Sequence, residues 1–216
     1  MGVYLINSYG NFNHMALVSV IIPYNEDRGF LREAIKSVEN QTYPCELILS
    51  NSPATGGKNI NNALKTITSD FWCFLSEDDK LTPNSIKDRL EAMQEFDFIH
   101  ARAEYFGLEN KPYSLTNPNI TFESCLKNNG IMGGSVMYRT ESTKGIYFDE
   151  ELWTGGEWYY NLLLLSKGKS LGFLDKSVYL YRRHSKQKSI GNISTEYQAK
   201  RNKVKEEIRC RFTKPL

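Results

Sequence analysis

Residues 71–83, FWCFLSEDDKLTP, run from an unbroken apolar stretch into three consecutive acids and reach a proline four residues later. An apolar run of this length predicts a strand buried on both faces. Pro83 marks the first turn of a following helix. Glu77, Asp78 and Asp79 repel one another, so water, a helix N-terminus or a bound cation must offset them.

Upstream, LVSVIIP (Leu17 to Pro23) is a second run of the buried-strand type, stopped by proline. GFLREAIKSVENQTYP places Leu31, Ala34, Ile35 and Val38 at helical spacing. CELILS predicts a strand, NSPATGG a turn and NINNALKTIT a short helix. Strand, helix, strand, helix, strand in about 60 residues predicts a parallel sheet with right-handed crossovers. Downstream, SIKDRLEAMQEF, TFESCLKNN and GGEWYYNLLLLSKG predict helices, the last opening from a turn. DFIHARAEYF, GGSVMYRT and SLGFLDKSVYLYRRH predict strands, and LENKPYSLTNPN a loop. The charged tail STEYQAKRNKVKEEIRCRF predicts a surface helix. The fold class is therefore α/β, a mixed, mostly parallel sheet flanked by helices.

Size and composition set the outer bounds. The 216 residues suffice for one large domain, and 40% hydrophobic with 24% charged residues describe a globular chain with a core. A net charge of +2 gives no reason to expect nucleic acid or a membrane surface as partner. The longest apolar run, Leu162 to Leu165, is far below the roughly 20 residues of a membrane span. The first residues lack the basic start and apolar stretch of a signal peptide. Four scattered cysteines without a Cys-x-x-Cys pair predict reduced thiols. Together these point to a soluble, cytoplasmic protein.

In an open α/β sheet, ligands gather at the carboxyl ends of strands, where the three acids stand. Carboxylates there suit Mg²⁺ or Mn²⁺, which need only one or two of them when a diphosphate supplies the rest. Alternatively the acids are solvated, and Asp79 or Thr82 caps the helix after Pro83.

VSVIIPYNE, LREAIKSVENQTY, ELILSNS and FLSEDDKLTP, in that order and spacing, resemble the nucleotide-binding half of family 2 GT-A glycosyltransferases. The resemblance extends from about residue 18 to about residue 189. It implies a single GT-A domain: residues 17–100 for the nucleotide sugar, 101–190 on the acceptor side, and 191–216 as a helical tail. It implies Asp79 as ligand of the divalent cation, with Asp78 on the donor ribose or the cation's water shell. Ser76 stands where the family has its first Asp. Pro23, Tyr24, Asn25 and Glu26 fall on the loop that cradles the nucleoside. Asn51, followed by Ser52, replaces acids, one of which reads the uracil. Asn61 matches the Asn of a donor-side segment whose arginine is here Ile60, with Lys58 the nearest cation.

In the second half, Glu157 takes the place of the family's base, with Gly168 eleven residues on. It equally suits the helix N-terminus as a favoured anion. Trp153 and Trp158 are candidate sugar platforms or core residues. Gly133 and Gly134 would make room for a sugar. His184 would be a third metal ligand, and Arg182, Arg183, Lys186 or Lys188 would neutralise phosphate.

The expected activity is inverting, metal-dependent transfer from a nucleoside-diphosphate sugar, UDP favoured, to a glycan, glycoprotein or glycolipid hydroxyl. The alternatives are a catalytically inactive nucleotide-sugar-binding module and a nucleotidyltransferase.

Overall fold

The computed structural model describes residues 16–185 and 195–213. Its elements, in chain order, are β1 (Val18–Tyr24), α1 (Leu31–Glu39), β2 (Glu46–Asn51), α2 (Gly56–Leu64) and β3 (Phe71–Phe74). Then come β4 (Lys80–Leu81), α3 (Ser85–Met93), β5 (Phe98–Gly107), β6 (Lys111–Pro112) and α4 (Phe122–Lys127). A 3-10 turn at Gly133–Ser135 leads into β7 (Met137–Arg139), α5 (Thr140–Thr143), α6 (Gly156–Ser166), β8 (Leu171–Arg183) and α7 (Thr195–Thr213).

One sheet holds the strands in the order β2-β1-β3-β7-β5-β8-β4, with β6 paired to β5. The three long ladders, β1 with β2, β1 with β3 and β5 with β8, are parallel. The antiparallel ladders are two residue pairs each. Because β7 lies antiparallel to both β3 and β5, strands β1, β2, β3, β5 and β8 all point the same way. Their carboxyl ends form one continuous edge.

The predicted two-faced burial of β1 holds. Val18, Val20 and Ile22 pack with α1 and α3 on one side of the sheet, and Ile21 packs with Trp72, Phe98 and α6 on the other. The strand runs through Pro23 to Tyr24 instead of stopping at the proline. Of the helical stripe on α1, Ala34 and Val38 are buried, and Leu31 and Ile35 lean on the same core.

Three expectations need correction. The 3-10 turn takes the first half of the predicted GGSVMYRT strand, because two glycines there must pass close to the Glu157, Phe74 and Tyr179 side chains. The NSPATGG turn ends early, since Thr55 caps α2 by accepting from the Lys58 N–H and so starts the helix at Gly56. The charged tail is not only a surface helix: Val204 and Ile208 of α7 are buried beside Trp158.

Among the described residues no helix is long and apolar enough to cross a membrane. None of the four cysteines is in a disulfide. A cavity of about 580 Å³, lined by Lys65, Asp70, Arg139 and Thr140 among others, opens at the amino end of β3, away from the carboxyl edge.

Candidate active site

The acids lie where the sheet ends. Beyond β3 the chain turns, Asp79 N–H donating to the Ser76 carbonyl at 3.1 Å, and then enters β4. Asp78 and Asp79 point inward and are 7% and 1% exposed.

Asp79 is fully engaged by the protein. Its Oδ2 accepts from the Tyr179 hydroxyl of β8, and its Oδ1 accepts from the Arg182 N–H at 2.7 Å. Burial, then the neighbouring charge of Asp78, push its carboxyl well above the usual carboxylate range, while the two donors oppose that rise. Burial and the nearby Asp79 likewise push the Tyr179 phenol upward. The resemblance gives Asp79 the cation. In the structure Asp79 ties the acid turn to the end of β8, each of its oxygens accepting one hydrogen bond and keeping acceptor capacity.

Asp78 is the acid that faces functional groups. Its Oδ2 lies 2.8 Å from Arg28 Nη2 and 3.1 Å from His184 Nε2. Arg28 also donates through Nε to Glu77 at 2.6 Å. Burial, then Asp78, raise the Glu77 carboxyl, and Arg28 holds it down. The charge offset demanded by the three acids therefore comes from an arginine some fifty residues earlier in the chain, and no feature of the acid stretch itself announces it.

His184 packs against Phe30 with ring centroids 4.6 Å apart, and its buried Nδ1 has no partner among the described residues. Two donor atoms 3.1 Å apart match the edge of an octahedron around a cation held at about 2.1 Å. Asp78 and His184 thus fit as the protein ligands of Mg²⁺ or Mn²⁺ in a site completed by a diphosphate. No group of three or more His, Cys, Asp or Glu side chains converges to hold a metal among the described residues.

Glu157 stands in the first turn of α6, whose N-cap, Gly155, adopts φ +72°. A side chain at Gly133 would meet Glu157 Cγ at 2.8 Å and Phe74 Cζ at 3.0 Å. A side chain at Gly134 would fall 2.0 Å from the Tyr179 ring. Two consecutive residues, with Cα atoms about 3.8 Å apart, therefore touch Glu157 and the partner of Asp79 in turn. Both carboxylates belong to one edge of the sheet. The glycines make room for these two side chains, which corrects the expectation that the room is for a sugar.

The remaining candidates divide. Tyr24 ends β1 at the same edge and Asn25 follows it, with Pro23 paired to Ser50 in the ladder and Glu26 exposed beyond. Asn51 donates to the carbonyls of Tyr24 and Asn25 at 3.2 and 3.4 Å, so its amide shapes the nucleoside loop. Buried Asn59, absent from the sequence reading, joins it by donating to the Tyr24 carbonyl at 3.1 Å. Asn61 is a correction: it is buried, donating to the Phe148 carbonyl and accepting from its N–H, both at 2.9 Å. Lys58 is exposed, with Glu150 at 3.9 Å.

Of the two readings of Trp158, sugar platform or core residue, the core one holds. It is buried and donates Nε1–H to the Cys125 carbonyl at 2.7 Å, so neither ring face is open to a sugar. Trp153, 43% exposed, keeps that possibility. Arg182 donates to the Asp78 carbonyl and to Glu33, and Arg183 to Glu109, so both cations already serve the protein. Lys186 and Lys188 lie outside the described residues. Sequence reasoning also missed an aromatic cluster of Tyr105, Tyr113 and Tyr181 at the ends of β5 and β8. Burial, the two neighbouring phenols and the Glu157 charge push the Tyr113 phenol to about 12, which places this cluster near Glu157.

No protein-family model matches the sequence, and no curated protein matches it. Solved structures do. TarS residues 1–349 of S. aureus, in complex with UDP-GlcNAc, superposes with a TM-score of 0.65 at 19% identity, covering 82% of this chain and 62% of that one. The mannosyltransferase PcManGT of Pyrobaculum calidifontis, in complex with GDP-Man and Mn²⁺, gives 0.58 at 11% identity, covering 81% and 59%. The fold is GT-A. This GT-A chain spans about 60% of the TarS 1–349 structures. Asp78, His184 and Glu157 stand at its carboxyl edge, the edge at which open α/β sheets gather ligands.

Proposed function

We propose that the chain transfers a sugar from a nucleoside-diphosphate sugar to an acceptor hydroxyl by single inverting displacement. One observation carries the reading: consecutive Gly133 and Gly134 seat Glu157 beside the Tyr179–Asp79 pair, at the strand ends of a fold shared with a UDP-GlcNAc complex and a GDP-Man complex. The base and the diphosphate-side acids then face one bound donor.

Glu157 is the base. It stands in the first turn of α6, where its carboxylate is positioned to take a proton. It accepts the acceptor's hydroxyl proton while the oxygen attacks the anomeric carbon. The bond from that carbon to the phosphate oxygen breaks, and the nucleoside diphosphate leaves with the bonding pair. The Tyr24–Asn25 turn, held by Asn51 and Asn59, shapes the nucleoside end. Asp78 and His184 are the residues that would hold a divalent ion, Mn²⁺ or Mg²⁺, which when bound would supply positive charge beside the diphosphate. The donor is a UDP-sugar and the acceptor a glycan or glycolipid hydroxyl; both rest on the sequence resemblance, and the UDP-GlcNAc complex of the similar fold supports the donor.

Glu157→Gln is the test. Transfer from UDP-sugars should fall by about 10²- to 10⁴-fold, with UDP affinity kept within about twofold. Unchanged transfer removes Glu157 as base. Binding of UDP without transfer by the unaltered chain to any hydroxyl acceptor would favour the inactive binding module.

A further inference from the structure

Arg28 is a strong cation paired directly with the side chains of the acid turn, and the proposed mechanism leaves it unused. The loop that carries it is shaped independently of the acids. Asp27 Oδ1 accepts from the Gly29 N–H at 2.7 Å and from the Leu31 N–H at 3.4 Å, and Gly29 takes φ +94°. This turn fixes the backbone on one side of Arg28 as the chain enters α1. The guanidinium reaches its partners through a flexible side chain that is 27% exposed, whereas Glu77 and Asp78 are 14% and 9% exposed. The acids are held in place and the arginine lies at the mouth.

Asp78 Oδ2 is where the conflict lies. It serves Arg28 Nη2 at 2.8 Å and His184 Nε2 at 3.1 Å at the same time. A divalent ion about 2.1 Å from this oxygen would stand against the guanidinium, two like charges with little water between them. The His184 ring adds an independent sign: it is 9% exposed, its Nε2 points at Asp78, and its Nδ1 has no partner among the described residues. No hydrogen bond on the far nitrogen fixes the tautomer, so Nε2 is able to donate to Asp78 or to offer a lone pair to a metal.

We propose that Arg28 is a diphosphate-binding residue that guards the metal position: without donor it neutralises Glu77 and Asp78, and with donor it passes to the diphosphate and frees Asp78. A guanidinium forks onto phosphate as readily as onto carboxylate, so in the exchange Arg28 keeps a paired charge while the ion takes its place at Asp78. Metal and nucleotide therefore load together, and the empty chain binds the ion weakly. The inference rests on the nucleotide-sugar reading above.

The experiment uses the full chain and two probes, Mn²⁺ alone and UDP alone, with Arg28→Gln, Arg28→Lys and the unaltered protein. Calorimetry or Mn²⁺ electron paramagnetic resonance without nucleotide should show Arg28→Gln binding Mn²⁺ at least tenfold more tightly than the unaltered chain. Arg28→Lys, which keeps the charge, should stay close to the unaltered chain. UDP affinity in EDTA should fall at least tenfold in Arg28→Gln. Equal Mn²⁺ affinity in Arg28→Gln and the unaltered chain, both shown folded by their melting curves, overturns the proposal and leaves the nucleotide reading standing. An unaltered chain that binds no nucleoside diphosphate overturns the nucleotide reading and the transfer of Arg28 with it. A tightened Mn²⁺ site in Arg28→Gln would still establish the guarding contact.

Discussion

Replacing Gly134 by alanine tests how closely the acid clamp is packed. The added methyl would lie 2.0, 2.2 and 2.6 Å from Cε2, Cζ and Oη of Tyr179. Carbon atoms rest about 3.5–4.0 Å apart, so the ring must retreat by about 1.5 Å. Tyr179 is 2% exposed and is enclosed by the core of β5 and β8, which leaves no open direction. Overpacking of this kind costs about 1–3 kcal/mol. Parting the hydroxyl from Asp79 leaves a buried acceptor short of a donor, about 1–3 kcal/mol more. The expected loss is about 2–6 kcal/mol by urea denaturation with an unchanged slope. The three clashing atoms do not exist in leucine, so in a Tyr179→Leu background the same glycine change should cost under about 1 kcal/mol. A Gly134→Ala chain within about 1 kcal/mol of the original would refute the close approach, and with it the argument that these glycines seat the site.

Gly133→Ala should behave differently: its nearest obstacle is the flexible Glu157 side chain at 2.8 Å, so transfer should fall more than stability, read as a kcat loss against a small shift in melting temperature. His100 is buried beside Phe173 with neither ring nitrogen partnered among the described residues, and burial depresses its imidazole to about 4. The folded chain resists its protonation, so this stability is present above the unfolded value near 6.5 and is lost as pH falls toward about 4, roughly 3 kcal/mol in all. His100→Leu should flatten that part of the stability–pH curve, and an unchanged curve would show that the ring is not the cause. Asn61→Ala breaks three hydrogen bonds to the 148–150 segment and should cost about 2–3 kcal/mol with UDP affinity unchanged, measured by denaturation and calorimetry. Trp153→Ala should weaken transfer without lowering the melting temperature, and Trp158→Phe should do the reverse; a swap of these outcomes would reverse their assignments.

The first half of the fold was legible because its strands are apolar runs closed by proline or turn residues, and its helices bury one stripe. Glu157 was singled out through the resemblance, by its place eleven residues before Gly168, and the structure puts it in the first turn of α6. Arg28 was not, since its loop carries no periodicity and its partners come from β3's far end, 49 and 50 residues later. The role of Asn61 was misjudged, and that of Trp158 left open between two readings, for a related reason. Their chemistry declares a hydrogen-bond donor but not the partner, and each found a backbone carbonyl in the core. β4 was missed because two residues cannot display alternation. α7 hid its buried face because Val204 and Ile208 are isolated apolar positions among charges.

That buried face has a mechanical meaning. Ile208 Cδ1 sits 3.2 Å from where a side chain on Gly155 would begin, Arg209 lies over the Trp158 ring, and Arg211 pairs with Asp149. α7 is a buttress behind the turn that aims Glu157. A binder that peeled α7 away would blunt the base while sparing the grip on the nucleotide, a brake that acts on turnover and leaves occupancy alone.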